Sequence, residues 1–467
     1  MKPTVMKRTA QCIFYLLSAL LLAHHSSAQD TVQVVTKWLK QNAIPIKHVE
    51  AGHGFADLQP LKEILKDVRI VGLGEATHGT REFFTMKHRM LEFLVTEMNF
   101  NAFALEASYA ACQPINEYVL YGKGDPATVL TGQGYVVWDT EELAEMLNWL
   151  RTYNQSVPDE KKVKFYGLDL SNNEIGRKEV LDYLRRVAPG KAAATDSLFR
   201  VLAKEEAKWP MQIDSETENT LLQMLPRLQD LIDYLAVNKD RFVSSSSSTE
   251  FDQTLQYARV MKQWLMANTT ALLPPFIDKG FMRSIYMAEN LMYLVDQGGP
   301  QAKFVVWEHN GHISRERVFF DGQNNLGYYL RRKYGDGYYA LSLEFNEGSF
   351  QTRILLPGKV LGDLKVVTVP PAPVGSLPSY LSRTNIGDLI LNLRAPVENP
   401  VVEQWLHSPQ KVYWVGWVYP EESQDFILAL AVKAVKREYD GILFINKTTA
   451  TRPTKNALVT VSKREGF

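Results

Sequence analysis

The chain is almost without cysteine. Its 467 residues contain only Cys12 and Cys112. Cys12 lies in a segment expected to be cut away, so no internal disulfide can form. A large apolar core must hold the fold instead, and 45% hydrophobic residues over this length make one available. An excess of charge is also missing. The 52 basic and 52 acidic side chains balance, which removes nucleic acid and anionic membrane as partners recognised by net charge. There is no Gly-x-Ser-x-Gly elbow, no P-loop, and no Gly-x-Gly-x-x-Gly with an acidic follow-on. "GHGF", from Gly52 to Phe55, is too short to replace them. Cys112 reads as a core thiol, and no Ser or Cys is expected to form an acyl-enzyme.

What is present begins with an export signal. Lys2, Lys7 and Arg8 precede the apolar run "CIFYLLSALLLA", and the small residues of "SSA" follow it. The run has signal-peptide length and is too short to span a membrane as a helix. Cleavage near Ala28 is expected, giving a periplasmic or secreted protein. No Cys stands at the cut to carry a lipid, so no stable membrane anchor is expected. The mature chain would hold about three more acidic than basic side chains.

Residues 29–467 read as one α/β domain with a mostly parallel central sheet, flanking helices and a long helical insertion. Residues 30–66 suggest two short amphipathic helices around a loop. "VRIVGLGE", "NAFALEAS" and "VKFYGLDL" are apolar runs of strand length separated by helical stretches, the pattern of strands buried on both faces. In "TREFFTMKHRMLEFLVTEM" a core stripe is expected from Phe83, Met90, Leu94 and Met98. From about 174 to 297 the pattern is helical, and this insertion is expected over the active-site cleft. Strand patterns resume in "KFVVWEHNGHI", "YYALSLEF", "KVYWVGWVY" and "DGILFI", with "VPPAPVGSLP" as a surface connection. No internal repeat is found.

Polar residues collect at the predicted strand ends. Glu75 ends the first strand, Glu106 the second and Asp169 the third. Trp307, Glu308 and His309 end the fourth, with His312 just beyond. Ligands of open parallel sheets bind outside the carboxyl ends of the strands, so these acids and imidazoles should converge. His78 stands in "GEATHGT", where Gly79 gives freedom to turn and Thr80 is a plausible N-cap. The positive end of the following helix disfavours imidazolium and leaves His78 the neutral ring that a general base needs. "HNGH" folds two rings toward one point through an Asn-Gly turn. The bland readings are a capping His and two solvated loop histidines. Against them, the chain has nine His in all, and three fall at these strand ends. Lys87 and His88 lie on the helix after His78, with Arg81, His88 and Glu92 sharing a face. A salt-bridged face is as good a reading of these as a site role. Asp169 is a supporting acid or, more plainly, a cap for the next helix.

"GEATHGTREF", "FALEAS", "TEELAEMLNWLRTYN", "FYGLDL", "YMAENL", "VVWEHNGHIS" and "YDGILFINKTTATRP" occur in an order and spacing that resemble the erythromycin esterase family. The likeness spans roughly Ile44 to Pro453. It implies hydrolysis of a macrolide lactone by histidine-activated water, and thereby macrolide resistance, with no cofactor and no required metal. By the same resemblance the base falls on His78, the supporting acids on Glu75 and Glu106, and the second histidine pair on His309 and His312. Three positions depart from the family pattern. Lys87 stands where Arg is frequent, Ser284 follows Arg283 where Asp is frequent, and Glu308 precedes "HNGH" where a small residue is frequent. These departures put the substrate, not the fold, in question.

The mechanism expected is direct attack of water on a small-molecule ester. Asp169, Tyr109, Tyr135 and Trp138 are expected to contact substrate or support the site, together with Lys87 and His88. Three rivals stand beside it: an esterase for another cyclic or bulky ester, a divalent-metal hydrolase using the same His and acids, and a non-catalytic periplasmic ligand binder. Nothing in the sequence signals an oligomeric state.

Overall fold

In chain order the strands are β1 (Ala43–Pro45), β2 (Ile70–Leu73), β3 (Ala102–Ser108), β4 (Lys164–Asp169), β5 (Phe304–Trp307), β6 (Tyr338–Leu356), β7 (Val360–Val369), β8 (Leu389–Asn392), β9 (Gln410–Val412), β10 (Val418–Pro420), β11 (Ala431–Lys433) and β12 (Gly441–Thr448). They belong to a computed structural model that describes residues 30–208, 214–269, 279–316, 325–356, 360–416, 418–420 and 431–458. The expected signal peptide, 1–28, lies outside the described residues.

The main sheet runs β1-β8-β12-β6-β2-β5-β3-β4. From β12 to β4 every pairing is parallel, and β8 and β1 add an antiparallel edge. The central strands alternate between two cores, as a pleated sheet buried on both faces must. Val71, Leu73, Phe103, Leu105, Val305 and Trp307 enter one layer. Ile70, Ala102, Ala104, Phe304 and Val306 enter the other. Each large side chain so buried contributes about 1.5–3 kcal/mol of transfer free energy, the driving force a chain without disulfides depends on.

The helices that matter for the site begin with α1 (30–42) and α2 (Leu61–Ile64). They are separated by β1, so the expected pair of helices around a loop also contains an edge strand. Then come α3 (Arg81–Met98), α4 (Gln113–Tyr121), α5 (Pro126–Gly132) and α6 (Glu141–Ser156). Helix α3 is not a surface helix with one apolar stripe. Every residue from Phe83 to Val95 is buried, Lys87 and Arg89 included. The sheet packs on one side of it and α6 covers another, so its polar residues must find internal partners. Thr80 occupies the cap position with extended backbone but makes no side-chain cap. Its hydroxyl pairs with Thr77 at 2.6 Å, and its backbone bridges to Ala450. Gly79 is required by close approach. A Cβ there would lie 1.8 Å from the Gln351 carbonyl oxygen, which leaves no room for any side chain.

Between β4 and β5 the described chain is helical: α7 (Glu174–Val187), α8 (Pro189–Glu206), α9 (Ser215–Val237), α10 (Lys239–Ser244), α11 (Ser248–Ala267) and α12 (Lys279–Gln297). They share a core of their own that includes Leu184, Phe199, Leu228 and Leu265. Helix α12 returns to the sheet, where Met287 and Leu291 join the sheet core and the Asn290 amide donates to the Leu168 carbonyl at 3.0 Å. No helix among the described residues is long and apolar enough to cross a membrane.

Two strand expectations change. "YYALSLEF" is only the first part of β6, which continues to Leu356 and folds back as β7. "KVYWVGWVY" is not one strand. It splits into β9, paired with β11 in a separate two-stranded sheet, and β10, which joins β6. Residues 413–416 between them are irregular. The Val415 N–H is taken by the Ala76 carbonyl (2.8 Å), and Tyr413 stacks on Phe345 (4.4 Å). The segment's apolar residues are therefore satisfied by crossing the carboxyl edge of the sheet.

Candidate active site

That edge gathers the polar residues. Glu75 follows β2 and is fully buried. Its Oε1 lies 2.6 Å from His78 Nδ1, and its Oε2 accepts from Lys87 Nζ (2.6 Å) and from Trp307 Nε1 (2.9 Å). A carboxylate only accepts, so His78 carries a proton on Nδ1, and in its neutral ring Nε2 is the basic nitrogen. Lys87 comes from α3, seats its ammonium 4.3 Å from the Trp307 ring centroid, and is closed to solvent. Burial lowers its pKa to about 8, against the opposing pull of Glu75.

A second carboxylate lies beside the first. Glu106 Oε2 accepts the His309 backbone N–H (2.9 Å), and its Oε1 accepts from Arg283 (3.0 Å) and sits 3.2 Å from His312 Nε2. Burial works against this charge, but His312 and Arg283 outweigh it and hold the carboxyl well below its ordinary range. Arg283 also grips Asp169 Oδ2, from NH2 at 2.7 Å and from Nε at 3.0 Å. Burial disfavours the guanidinium charge, and Asp169 with Glu106 reverses that. Tyr135 donates to Asp169 at 2.7 Å and also meets Ser171. Asp169 therefore anchors Arg283 instead of capping a helix.

His309 and His312 belong to a one-turn helix, α13 (Asn310–Ile313), with His309 at its cap. The fold pins this turn. Asn310 exchanges hydrogen bonds with both backbone groups of Leu343 (3.1 Å each), and Gly74 leaves room for its amide, since a Cβ there would meet Oδ1 at 2.1 Å. His309 Nδ1 accepts from the Gly311 N–H (3.1 Å), so a neutral ring carries its proton on Nε2. That Nε2 is buried and has no hydrogen-bond partner among the described residues. Burial first, then the His78 ring, press the His309 pKa well below the imidazole range. The His78 and His309 ring centroids are 5.3 Å apart. Trp138 packs on His78 (5.1 Å) and donates its Nε1 to the Glu106 carbonyl (2.8 Å), while Trp414 closes on His309 (4.7 Å). Glu308 is wholly buried, and neither carboxyl oxygen has a hydrogen-bond partner among the described residues. Burial, reinforced by Glu106, raises its pKa well above the carboxylate range.

Glu75, His78, Lys87, Glu106, Asp169, Trp138, His309 and His312 therefore meet in one cluster. Two expected residues do not join it. His88 follows Lys87 on α3 and faces away, against Trp149 (5.9 Å) and Glu92 (3.6 Å). Tyr109 turns to the insertion and packs on Tyr257 (6.1 Å). Cys112 is a buried thiol whose pKa burial drives up. Arg283, Ser284 and Trp414 were not legible as site residues. The Arg-Ser pair stood out only as a departure from the family pattern, with no role attached, and Trp414 lay in a run expected to be a strand. Ser284 Oγ lies 2.9 Å from His312 Nδ1.

Burial of His88 has a measurable cost. It lowers the pKa from about 6.5 to about 4. The unfolded chain binds this proton first as pH falls, so the stability present above pH 6.5 is lost progressively down to about 4. The loss amounts to about 3 kcal/mol. His88→Leu is expected to flatten the acid side of a plot of urea midpoint against pH. Parallel curves for variant and wild type would assign the acid sensitivity to other groups.

Among the described residues no group of three His, Cys, Asp or Glu is arranged to hold a metal ion. A cavity of about 590 Å³ lies at the opposite, amino edge of the sheet, lined by Arg315, Arg394, Lys436 and Asp440 among others. It contains none of the cluster.

Comparison with known proteins bears on the family and the fold. The family described as Erythromycin esterase matches residues 95–448, a span that begins after Glu75, His78 and Lys87. Erythromycin esterase type II of Escherichia coli is 25% identical over 329 residues, 67% of this chain and 77% of that protein. The hydrolase candidate YbfO of Bacillus subtilis (strain 168) is 24% identical over 96% of this chain and 99% of its own length. A solved Bacillus cereus structure superposes with a TM-score of 0.76 at 25% identity, covering 91% of this chain and 99% of that one. A mutant of the erythromycin esterase EreC, in its open conformation, gives 0.63 at 18% identity, covering 85% and 94%. The fold is thus shared with a solved esterase. Because the family match spans well over half of the sequence, this chain belongs to the erythromycin esterase family and is a hydrolase of that family.

Proposed function

We propose that the protein opens the lactone ester of macrolides such as erythromycin by direct attack of water. The observation that carries this reading is the Glu75–His78 pair at 2.6 Å, which commits Nδ1 to the carboxylate and makes Nε2 the nitrogen that can act as base. A water against Nε2 gives its proton to His78 as its oxygen bonds to the ester carbonyl carbon. Glu75 stays ionised and steadies the imidazolium, the part an acid plays in a triad. His309, neutral and bearing Nε2–H, donates to the carbonyl oxygen as negative charge develops there. The tetrahedral species then breaks its bond to the alcohol oxygen, which takes a proton from His312 Nε2. His78 ends with the proton His312 has lost, and exchange with solvent resets both. The fixed tautomer of His309 and the anion beside His312 separate their roles as oxyanion donor and acid.

The departures at Lys87, Ser284 and Glu308 support a second reading, an esterase of the same chemistry acting on a different cyclic or bulky ester. We read the chain as exported and cut after Ala28, and macrolide resistance as its use to the cell. The test uses mature protein recovered from the periplasm, whose first residue would be Gln29. It is incubated with erythromycin and other macrolides, with and without chelator, and the products are weighed by mass spectrometry. A product heavier by one water and indifferent to chelator is expected. Loss of activity with chelator, restored by added divalent metal, would replace this mechanism with a metal-dependent one. Ligand returned intact in every case would leave the macrolide reading without support.

A further inference from the structure

His312 stands where three elements meet. Its Nε2 is 3.2 Å from Glu106 Oε1 on β3 and 3.2 Å from Arg283 NH1 on α12. Its Nδ1 is 2.9 Å from Ser284 Oγ, also on α12. Among the described residues His309, at the cap of α13, Asp169, held at the end of β4 by Arg283, and Glu308, which acts on Glu106 and Arg283, are further titratable groups of this cluster. A carboxylate only accepts and a guanidinium only donates, so the two contacts at Nε2 cannot be hydrogen bonds at the same time. They fit as two protonation states of one nitrogen. With a proton on Nε2 the ring donates to Glu106; without it, the ring accepts from Arg283. In the charged ring both nitrogens donate, which makes the Ser284 oxygen the acceptor at Nδ1. The neutral ring left after Nε2 has given up its proton keeps Nδ1–H.

We propose that Ser284 is a positioning residue which, by accepting from Nδ1, confines the proton that His312 exchanges to Nε2, the nitrogen facing Glu106 and Arg283. This rests on the reading of His312 as the acid of hydrolysis. Ser284 acts through the ring. It is 3% exposed and bonds the nitrogen remote from Glu106. A hydroxyl is a weaker acceptor for imidazolium than a carboxylate, so the side chain at this position also sets how readily His312 holds its second proton.

The test has one readout that does not depend on turnover. The full mature chain is labelled with ¹⁵N-histidine, and two-bond nitrogen–proton correlations are recorded across pH, with His312→Gln to assign the signal. The neutral His312 ring is expected as the Nδ1–H tautomer in wild type and Ser284→Thr, and as Nε2–H or a mixture in Ser284→Ala. In kcat/KM for erythromycin, the limb due to His312 is expected to move to lower pH in Ser284→Ala. In Ser284→Asp it should move about one pH unit higher, with KM little changed in both. An Nε2–H tautomer in wild type, or identical spectra for wild type and Ser284→Ala, would overturn the assignment to Ser284. The expected spectra without any turnover of erythromycin would instead overturn the macrolide reading and leave the role of Ser284 standing.

Discussion

His78→Asn is expected to lose ester hydrolysis by roughly 10³–10⁴-fold in kcat/KM while keeping its fold. The ring contributes little to packing that Asn cannot supply, because Glu75 retains Lys87 and Trp307 as donors. What disappears is the one imidazole whose Nδ1 is committed to a buried carboxylate and whose Nε2 remains open to a water. His309 cannot substitute, since its Nδ1 is taken by the Gly311 N–H and its remaining nitrogen is a donor. Circular dichroism and the thermal midpoint check the fold; single-turnover and steady-state rates check the chemistry. Retained turnover in a folded variant would remove His78 from the mechanism, whereas a loss shared with a collapsed thermal midpoint would show only that the ring is structural.

Lys87→Met is expected to lower stability by about 3–5 kcal/mol, the cost of leaving one partner of a buried ion pair alone. The ammonium is 2.6 Å from Glu75 Oε2 and both side chains are closed to water. Met is close in volume and lacks the charge, so the effect reports on Glu75 and not on a cavity. Without Lys87, Glu75 is expected to take up a proton and loosen its hold on His78, which lowers kcat as well. The urea midpoint measures the first effect, and the pH–rate profile the second. In wild type, burial brings the Lys87 pKa to about 8, so the charge that fixes Glu75 is present below this pH and lost above it. Activity should therefore decline on the alkaline side of about 8, and Lys87→Arg, whose charge does not titrate there, should carry the plateau further up. An unchanged urea midpoint in Lys87→Met would mean that the pair contributes no net stability.

The balance between sequence and structure is clearest in particular residues. "RIVGLGE", "FALEAS" and "FVVWEHNGHI" could be read as buried strands because a parallel strand covered on both faces must be apolar nearly throughout. A polar residue that ends such a run is then conspicuous, as Glu75 and His309 are. Helix α3 was legible as a helix but not as a buried one. Its Lys87 and Arg89 look like surface charges until the partners Glu75 and Asp57, distant in sequence, are in place. The KVYWVGWVY segment has strand composition. It is drawn out of strand geometry by contacts with Ala76, Phe345 and His309, which no local pattern encodes.

The sequence by itself determined the class of fold and which polar residues stand at the carboxyl ends of the strands, because hydrophobic periodicity and the alternation of strands with helices are local properties of the chain; its motifs carried the likeness to the family. The tertiary structure alone decided the partners. It placed Lys87 and Trp307 on Glu75, turned His88 and Tyr109 away, brought Arg283 across from the insertion to Glu106 and Asp169, and gave the two histidines of HNGH different surroundings. The physical reason is that protonation state and tautomer depend on groups within a few ångströms in space, and at this site those groups come from β3, β4, α3, α12 and the turn after β5.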